Sequence, residues 1–298
     1  MSSSSSIVEE TLRQQRSVWQ DVTDRVSRIS NHELSPESPR RILLFGIGSS
    51  HFAAKLTAFT LLRDKTRERT PIVSCQSLAI GNEVMPQPGD WAFAFTHRAS
   101  TGPTLQAMDM CAKAGAFTVM VSAQGVEQPD CAKYALYTSP LERCEPHTMG
   151  VSGAVCAVTS LLMGTKVMEE WDALRSLGDP DLDKFRDRAG HGPTLLLGEW
   201  EGEWLAKEGA LKLMEMARLP VRVFGSEEFF HGPRFSLKPE DSIWHVATKK
   251  DQRANDIMAK QRVDISGNTP LAWVPALIEL QWLSLGTALN LGLNPDGI

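Results

Sequence analysis

The chain has 298 residues, and at roughly 150 residues per domain this length predicts two domains, each able to bury a core of its own. Hydrophobic residues make up 42% and charged residues 22%, ordinary values for a globular protein, which exclude a disordered or collagen-like chain. With 31 basic against 36 acidic side chains the net charge is -5, no basic run occurs, and no apolar stretch reaches the roughly 20 residues of a membrane span, so neither a nucleic-acid partner nor a membrane is expected.

Met1 to Ser6 lacks the basic and apolar regions of a signal peptide and reads as a frayed tail. Ile7 to Ile29 mixes apolar and charged positions at helical spacing, which predicts an N-terminal helix packed on the body, and Asn31 to Arg40, with Pro36 and Pro39, reads as a linker. Short apolar runs then alternate with longer amphipathic ones. Arg41 to Phe45, Pro71 to Val73, Trp91 to Phe95, Phe117 to Val121 and Ala135 to Thr138 read as strands; Ser50 to Leu62, Pro103 to Ala114 and Gly150 to Glu170 read as helices. Near-continuous apolar strands separated by helices predict a parallel sheet covered on both faces. After the polar stretch Asp179 to Gly192 the pattern restarts, with strands at Thr194 to Leu197, Val221 to Phe224 and Ile243 to Ala247 and helices at Glu201 to Ala217 and Ala276 to Leu291. Lys249 to Asn268 is too polar to place a buried strand. Both halves open with strand, glycine turn and helix, a weak internal repeat. The expected fold is therefore α/β: a helix and linker over 1–40, then two doubly wound domains over 41–180 and 190–298.

Five cysteines, Cys75, Cys111, Cys131, Cys144 and Cys156, are an odd number, and no two stand at C-x-x-C spacing. Neither a disulfide framework nor a zinc knuckle is expected, and a reducing cytoplasm is the expected location.

Gly46-Ile47-Gly48-Ser49-Ser50 is a glycine turn between a buried strand and a helix. Backbone N–H groups, two hydroxyls and the positive helix end can there face an anion, phosphate above all, although Ser49 or Ser50 could equally cap the helix. Neither the dinucleotide fingerprint nor a P-loop is present. The third strand ends in Thr96-His97-Arg98-Ala99-Ser100-Thr101, at the carboxyl end of a parallel strand where open α/β sheets bind ligands; Arg98 could grip a phosphate with two N–H donors. On the helix Glu201 to Ala217, turning about 100° per residue, apolar side chains cover nearly the whole circumference and leave Glu208, Lys212 and Glu215 on one narrow stripe. Such a helix should be buried, so the stripe is read as facing a polar cavity, where a lysine between two carboxylates forms an acid/base set, rather than as a solvated ladder. His231 precedes Gly232-Pro233 on a turn and is suited to proton transfer; the other histidines are scattered and form no metal set.

These residues resemble the sugar isomerase (SIS) family. The likeness runs from about residue 40 to the end and rests above all on Glu208-Gly209-Ala210-Leu211-Lys212-Leu213-Met214-Glu215 followed by Glu228-Phe229-Phe230-His231-Gly232-Pro233, with Gly292-Leu293-Asn294-Pro295-Asp296 in support. It is similar to the isomerase half of glutamine-fructose-6-phosphate aminotransferase and its stand-alone cousins. The resemblance implies two SIS domains in tandem, a homodimer, a phosphorylated sugar or amino sugar bound between the domains, and no cofactor or metal. It sets Ser49, Ser50, Thr96, His97, Arg98, Ser100 and Thr101 at the phosphate, with His147 and Glu208 added to the binding set. Glu215 matches the base that moves a proton between C1 and C2 of the open-chain sugar, Lys212 its partner at the sugar oxygens, and His231 the ring-opening residue, which in that family reaches in from the neighbouring subunit.

The chain departs from the family in three places. The phosphate loop S-x-S-G-x-T here reads T-H-R-A-S-T, so Arg98 replaces a serine and Ala99 the glycine. The V-A-S-T-K segment is replaced by Glu145-Pro146-His147-Thr148-Met149. A tail beyond Asn-Pro-Asp, carrying a lysine over the sugar, and an N-terminal glutaminase domain are expected to be missing. The expected function is isomerisation or deamination of a hexose or aminohexose 6-phosphate, with a fructosamine-type 6-phosphate deglycase and a non-catalytic phosphosugar-binding regulator as alternatives.

Overall fold

The structure, a computed structural model, describes residues 5–29, 38–64, 70–178 and 180–297. Most of the tail and of the linker read at Asn31 to Arg40 lies outside these residues. An N-terminal helix α1 (Ile7–Val26) precedes β1 (Arg41–Gly46), α2 (Ser49–Arg63), β2 (Ile72–Gln76), β3 (Asp90–Phe95), α3 (Gly102–Lys113), β4 (Phe117–Ser122), β5 (Tyr134–Tyr137), α4 (Met149–Met163) and α5 (Thr165–Arg175). Then follow α6 (Leu182–Ala189), β6 (Leu195–Gly198), α7 (Glu201–Ala217), β7 (Arg222–Gly225), the short helix α8 (Ser226–Phe230), β8 (Ile243–Ala247), β9 (Gln261–Asp264) and α9 (Val274–Asn290).

The chain divides into two compact units. The first comprises the described residues of Gln14–Glu142 and Met149–Leu177 and holds a five-stranded sheet in the order β2-β1-β3-β4-β5, parallel throughout. Ile42, Leu43, Leu44 and Phe45 of β1 are all fully buried, as a strand covered on both faces requires. Leu43, Phe45, Ala92, Ala94 and Met120 pack with Ala107, Met108 and Cys111 of α3. The later turns of α1 belong to this unit: Trp19 stacks near Trp171 with ring centroids 5.1 Å apart, and its Nε1–H donates to Ser152 Oγ at 3.0 Å.

The second unit takes the described residues of Met1–Arg13, Arg143–Thr148 and Gly178–Ile298. Its sheet has the order β7-β6-β8-β9, again all parallel, with α7 and α9 packed together. Both central strands end in a glycine that the following helix approaches closely. A Cβ on Gly46 would stand 2.7 Å from the Ser50 carbonyl carbon, and one on Gly198 only 2.3 Å from the Gly202 oxygen.

The structure differs from the sequence reading at four elements. The N-terminal helix ends at Val26 rather than Ile29. The single helix read over Gly150 to Glu170 is two, α4 and α5, divided at Gly164, whose φ of 68° no helix sustains. The polar stretch after 179 contains α6, capped by Asp181, whose carboxylate accepts from Asp183 N–H at 3.1 Å. The region read as too polar for a buried strand contains β9, an edge strand that buries Val263 and leaves Arg262 and Asp264 exposed. All five cysteines are free. Among the described residues no helix is long and apolar enough to cross a membrane, and no group of three or more His, Cys, Asp or Glu side chains could hold a metal.

Candidate functional site

Two clusters of polar residues stand out, one in each unit. In the first, the chain runs from β1 out to β2 on one side and returns to β3 on the other, so the loops after β1 and β3 part at the carboxyl ends of neighbouring strands. That topology opens a crevice for a ligand. Gly48 takes φ 58° and ψ -133° and turns the chain directly into α2 at Ser49. Neither Ser49 nor Ser50 caps the helix, and Thr101, at the N-cap of α3, makes no side-chain cap either. The hydroxyls of Ser49 and Thr96 are buried without a hydrogen-bond partner, an unfavourable state for a polar group unless something else supplies the partner. Arg98, Ser100 and Thr101 are exposed.

His97 is differently engaged from what a phosphate ligand would need. Its Nε2 accepts the Glu142 N–H at 3.0 Å, and burial, helped by the neighbouring Arg98 charge, lowers its pKa to about 4. It is therefore neutral at pH 7 and brings no cation to a phosphate. The Glu142 carboxylate, 2% exposed, accepts the Gly150 N–H at the start of α4 at 2.8 Å, and Arg98 Nη2 reaches the Glu142 carbonyl at 3.4 Å. Glu142 thus couples the loop after β3 to α4. The sequence reading missed it, because a single acidic residue in a loop carries no periodic signal.

In the second unit, Glu208 and Lys212 of α7 are fully buried and Glu215 keeps 27% of its side chain exposed. Lys212 Nζ stands 2.5 Å from Glu215 Oε2 and 3.6 Å from Glu208 Oε1. Spacings of four and three residues place all three on one face of α7. Ionised groups in a buried position cost several kcal/mol of desolvation each, so Glu208 and Lys212, fully buried beside Glu215, mark a functional candidate more than a stabilising set, unlike the part-exposed pair of Glu203 and Lys207 on another face of the same helix. Chemically it sets a part-exposed carboxylate, able to take a proton, against an ammonium able to steady a developing oxyanion.

His231 ends α8, is 74% exposed and meets Glu227 Oε1 through Nε2 at 3.1 Å. His147 is half-buried in the segment 143–148, which folds with α7 and α9: Thr148 Oγ1 meets Thr11 Oγ1 at 2.9 Å and its carbonyl accepts from Gln281 Nε2 at 3.4 Å. The Asn294 to Gly297 tail lies against the same segment, with the Glu145 N–H donating to the Asp296 carbonyl at 3.4 Å. A further buried cluster, Ser226, His245 and Asp251, also escaped the sequence reading. Asp251 Oδ2 accepts from Ser226 Oγ at 2.6 Å and meets His245 Nε2 at 2.8 Å.

No family model matches the chain. A protein of Acanthamoeba polyphaga mimivirus named as a probable glutamine-fructose-6-phosphate aminotransferase (isomerizing) is 26% identical over 141 residues, which cover 39% of this chain and 23% of that protein. Three solved structures share the fold along nearly the whole length. A candidate phosphosugar isomerase of Clostridium difficile 630 superposes with a TM-score of 0.81 at 14% identity, covering 97% of this chain and 94% of that one. Tagatose-6-phosphate ketose/aldose isomerase of Escherichia coli gives 0.75 at 17% identity, with 98% and 95% covered. Glucosamine-6-phosphate deaminase of Thermotoga maritima gives 0.74 at 15%, with 98% and 97% covered. The chain thus shares the fold of these phosphosugar isomerase and deaminase structures along nearly its whole length, with its own strands in two parallel sheets flanked by helices.

Proposed function

We propose that the protein is an enzyme acting on a hexose or aminohexose 6-phosphate by proton transfer between C1 and C2, either as an aldose-ketose isomerase or as an aminosugar-phosphate deaminase. The observation that carries this reading is the burial of Lys212 between Glu208 and Glu215, with Glu215 alone open to solvent. In this reading Glu215 is the base, Lys212 steadies the negative charge that grows on the sugar oxygen, and Glu208 is the second carboxylate facing Lys212. The start of α2 with Ser49 and Ser50, the Thr96 hydroxyl, Arg98, Ser100 and Thr101 are the groups suited to a phosphate. His97 acts here as the link from that loop to Glu142 and α4. His231 opens the sugar ring of a partner protomer's substrate, which suits its exposure and its anionic neighbour Glu227.

The test is hydrogen exchange at C1 or C2 in deuterated water, over a panel of hexose and aminohexose 6-phosphates. Exchange is expected with at least one of them, and Glu215→Gln is expected to slow it by roughly a hundredfold or more, the low end of what a positioned base contributes. Binding of a sugar phosphate without exchange or turnover would instead make the protein a phosphosugar-responsive regulator.

A further inference from the structure

We propose that the crevice at the carboxyl ends of β6, β7 and β8 is a second ligand site, for an amino sugar phosphate, separate from Lys212 and Glu215. The strand order β7-β6-β8 repeats the arrangement β2-β1-β3, so the loops after β6 and β8 part just as those after β1 and β3 do. Here they enclose a cavity of about 540 Å³ bordered by Glu199, Trp200, Glu227, Lys250 and Arg253, a volume suited to one small ligand. Trp200 sits at the N-cap of α7 and Lys212 on its fourth turn; eleven residues at 1.5 Å each separate Glu201 from Lys212 by about 17 Å, too far for one monosaccharide to reach both.

The lining differs from that of the first crevice, and the difference selects the ligand. Counted from the strand-end glycines Gly46 and Gly198, Ser49 and Ser50 are replaced by Glu201 and Gly202, and Ile47 and Gly48 by Glu199 and Trp200, so the hydroxyls are lost and carboxylates gained, which bare phosphate would not favour. Trp200 leaves 52% of its surface in solvent and holds a φ of 57°. Both cost free energy, and a flat indole face open to solvent is suited to the C–H face of a pyranose. Lys250 Nζ lies 5.7 Å from the indole centroid, over the same ring. Glu227 is engaged by Arg253 at 2.7 and 2.9 Å, and its N–H donates to Glu199 Oε2 at 3.0 Å. Arg253 is thereby neutralised within the rim. Lys250 is the cation that remains for an anionic substituent, and Glu199 the carboxylate beside the indole for an ammonium or hydroxyl group. The rim is also held in advance. Buried Asp251 ties the loop after β8 to Ser226 and His245 and accepts the Arg253 N–H at 2.9 Å, so little ordering remains to oppose binding.

Titration calorimetry of the full chain with glucosamine 6-phosphate, with glucosamine and inorganic phosphate as comparison ligands, tests the assignment. Trp200→Gly suits the backbone conformation and removes the indole; Lys250→Ala removes the cation from an exposed position. The expected result is a binding event that each substitution weakens by about tenfold or more, that glucosamine reproduces more weakly and that phosphate alone does not. Binding unchanged in both variants, or a Trp200-dependent event reproduced by phosphate alone, overturns it. The two readings fail separately: C1/C2 exchange that persists in Trp200→Gly bears on the catalytic reading, and Trp200-dependent binding in a chain without exchange bears only on this one.

Discussion

Lys212 shows how much a single side chain can carry. Its side chain is out of water altogether, and Glu208 and Glu215 both face it. Lys212→Met would remove the ammonium that faces the buried Glu208 carboxylate, and is expected to cost roughly 3–5 kcal/mol in urea unfolding; adding Glu208→Gln should restore a large part of that loss. His97 makes a different residue-scale prediction. Its pKa lies near 4 in the folded chain because burial opposes its protonation, against about 6.5 when unfolded. The folded state therefore keeps its full stability above pH 6.5. As the pH falls from 6.5 towards 4 the unfolded chain takes up a proton that the native chain refuses, and roughly 3 kcal/mol is lost across that window. Urea unfolding at pH 7, 5 and 4 should show this slope, and His97→Gln should flatten it.

At the scale of elements, the buried parallel strands were legible because cover on both faces leaves no room for polar side chains, so β1, β3, β4, β6 and β8 read as short apolar runs. The helix α7 was legible from its apolar positions and the stripe of Glu208, Lys212 and Glu215, although Glu203 and Lys207 pair on another, part-exposed face, so its circumference is less apolar than the sequence reading held. Elements at the rim gave no such signal. β9 buries one residue, and α6 buries only Ala189 completely, resting on α9 with Phe185 beside Trp282. Their sequences look like loops because most of their surface stays wet. The end of α7 carries a further expectation. Arg218 closes it in the left-handed region, at φ 55° and ψ 29°, where an L side chain is strained and glycine is not. The residue is exposed, so Arg218→Gly should raise the unfolding free energy by up to about 1 kcal/mol, measured by urea denaturation.

For the whole molecule, the proposed donation of His231 to a partner's site leads to a mixing experiment. Glu215→Gln and His231→Ala homodimers should each be inactive, while subunits mixed after dissociation should regain C1/C2 exchange, since one of the two composite sites in a heterodimer is intact. A chain that light scattering finds monomeric, or a mixture that stays inactive, removes the cross-subunit role.

Composition, the alternation of buried strands and helices, the two glycine turns and the charged stripe of α7 were all determined by the sequence alone, because each is written in neighbouring residues or in a short period. Other features were decided only when the chain folded: that β1 lies between β2 and β3, that Glu142 claims the imidazole of His97, that the segment 143–148 joins the unit of α7, and that Ser226, His245 and Asp251 meet. Each of these depends on groups that sequence spacing does not pair. Burial then sets their protonation and hydrogen bonding, and burial belongs to the folded chain as a whole.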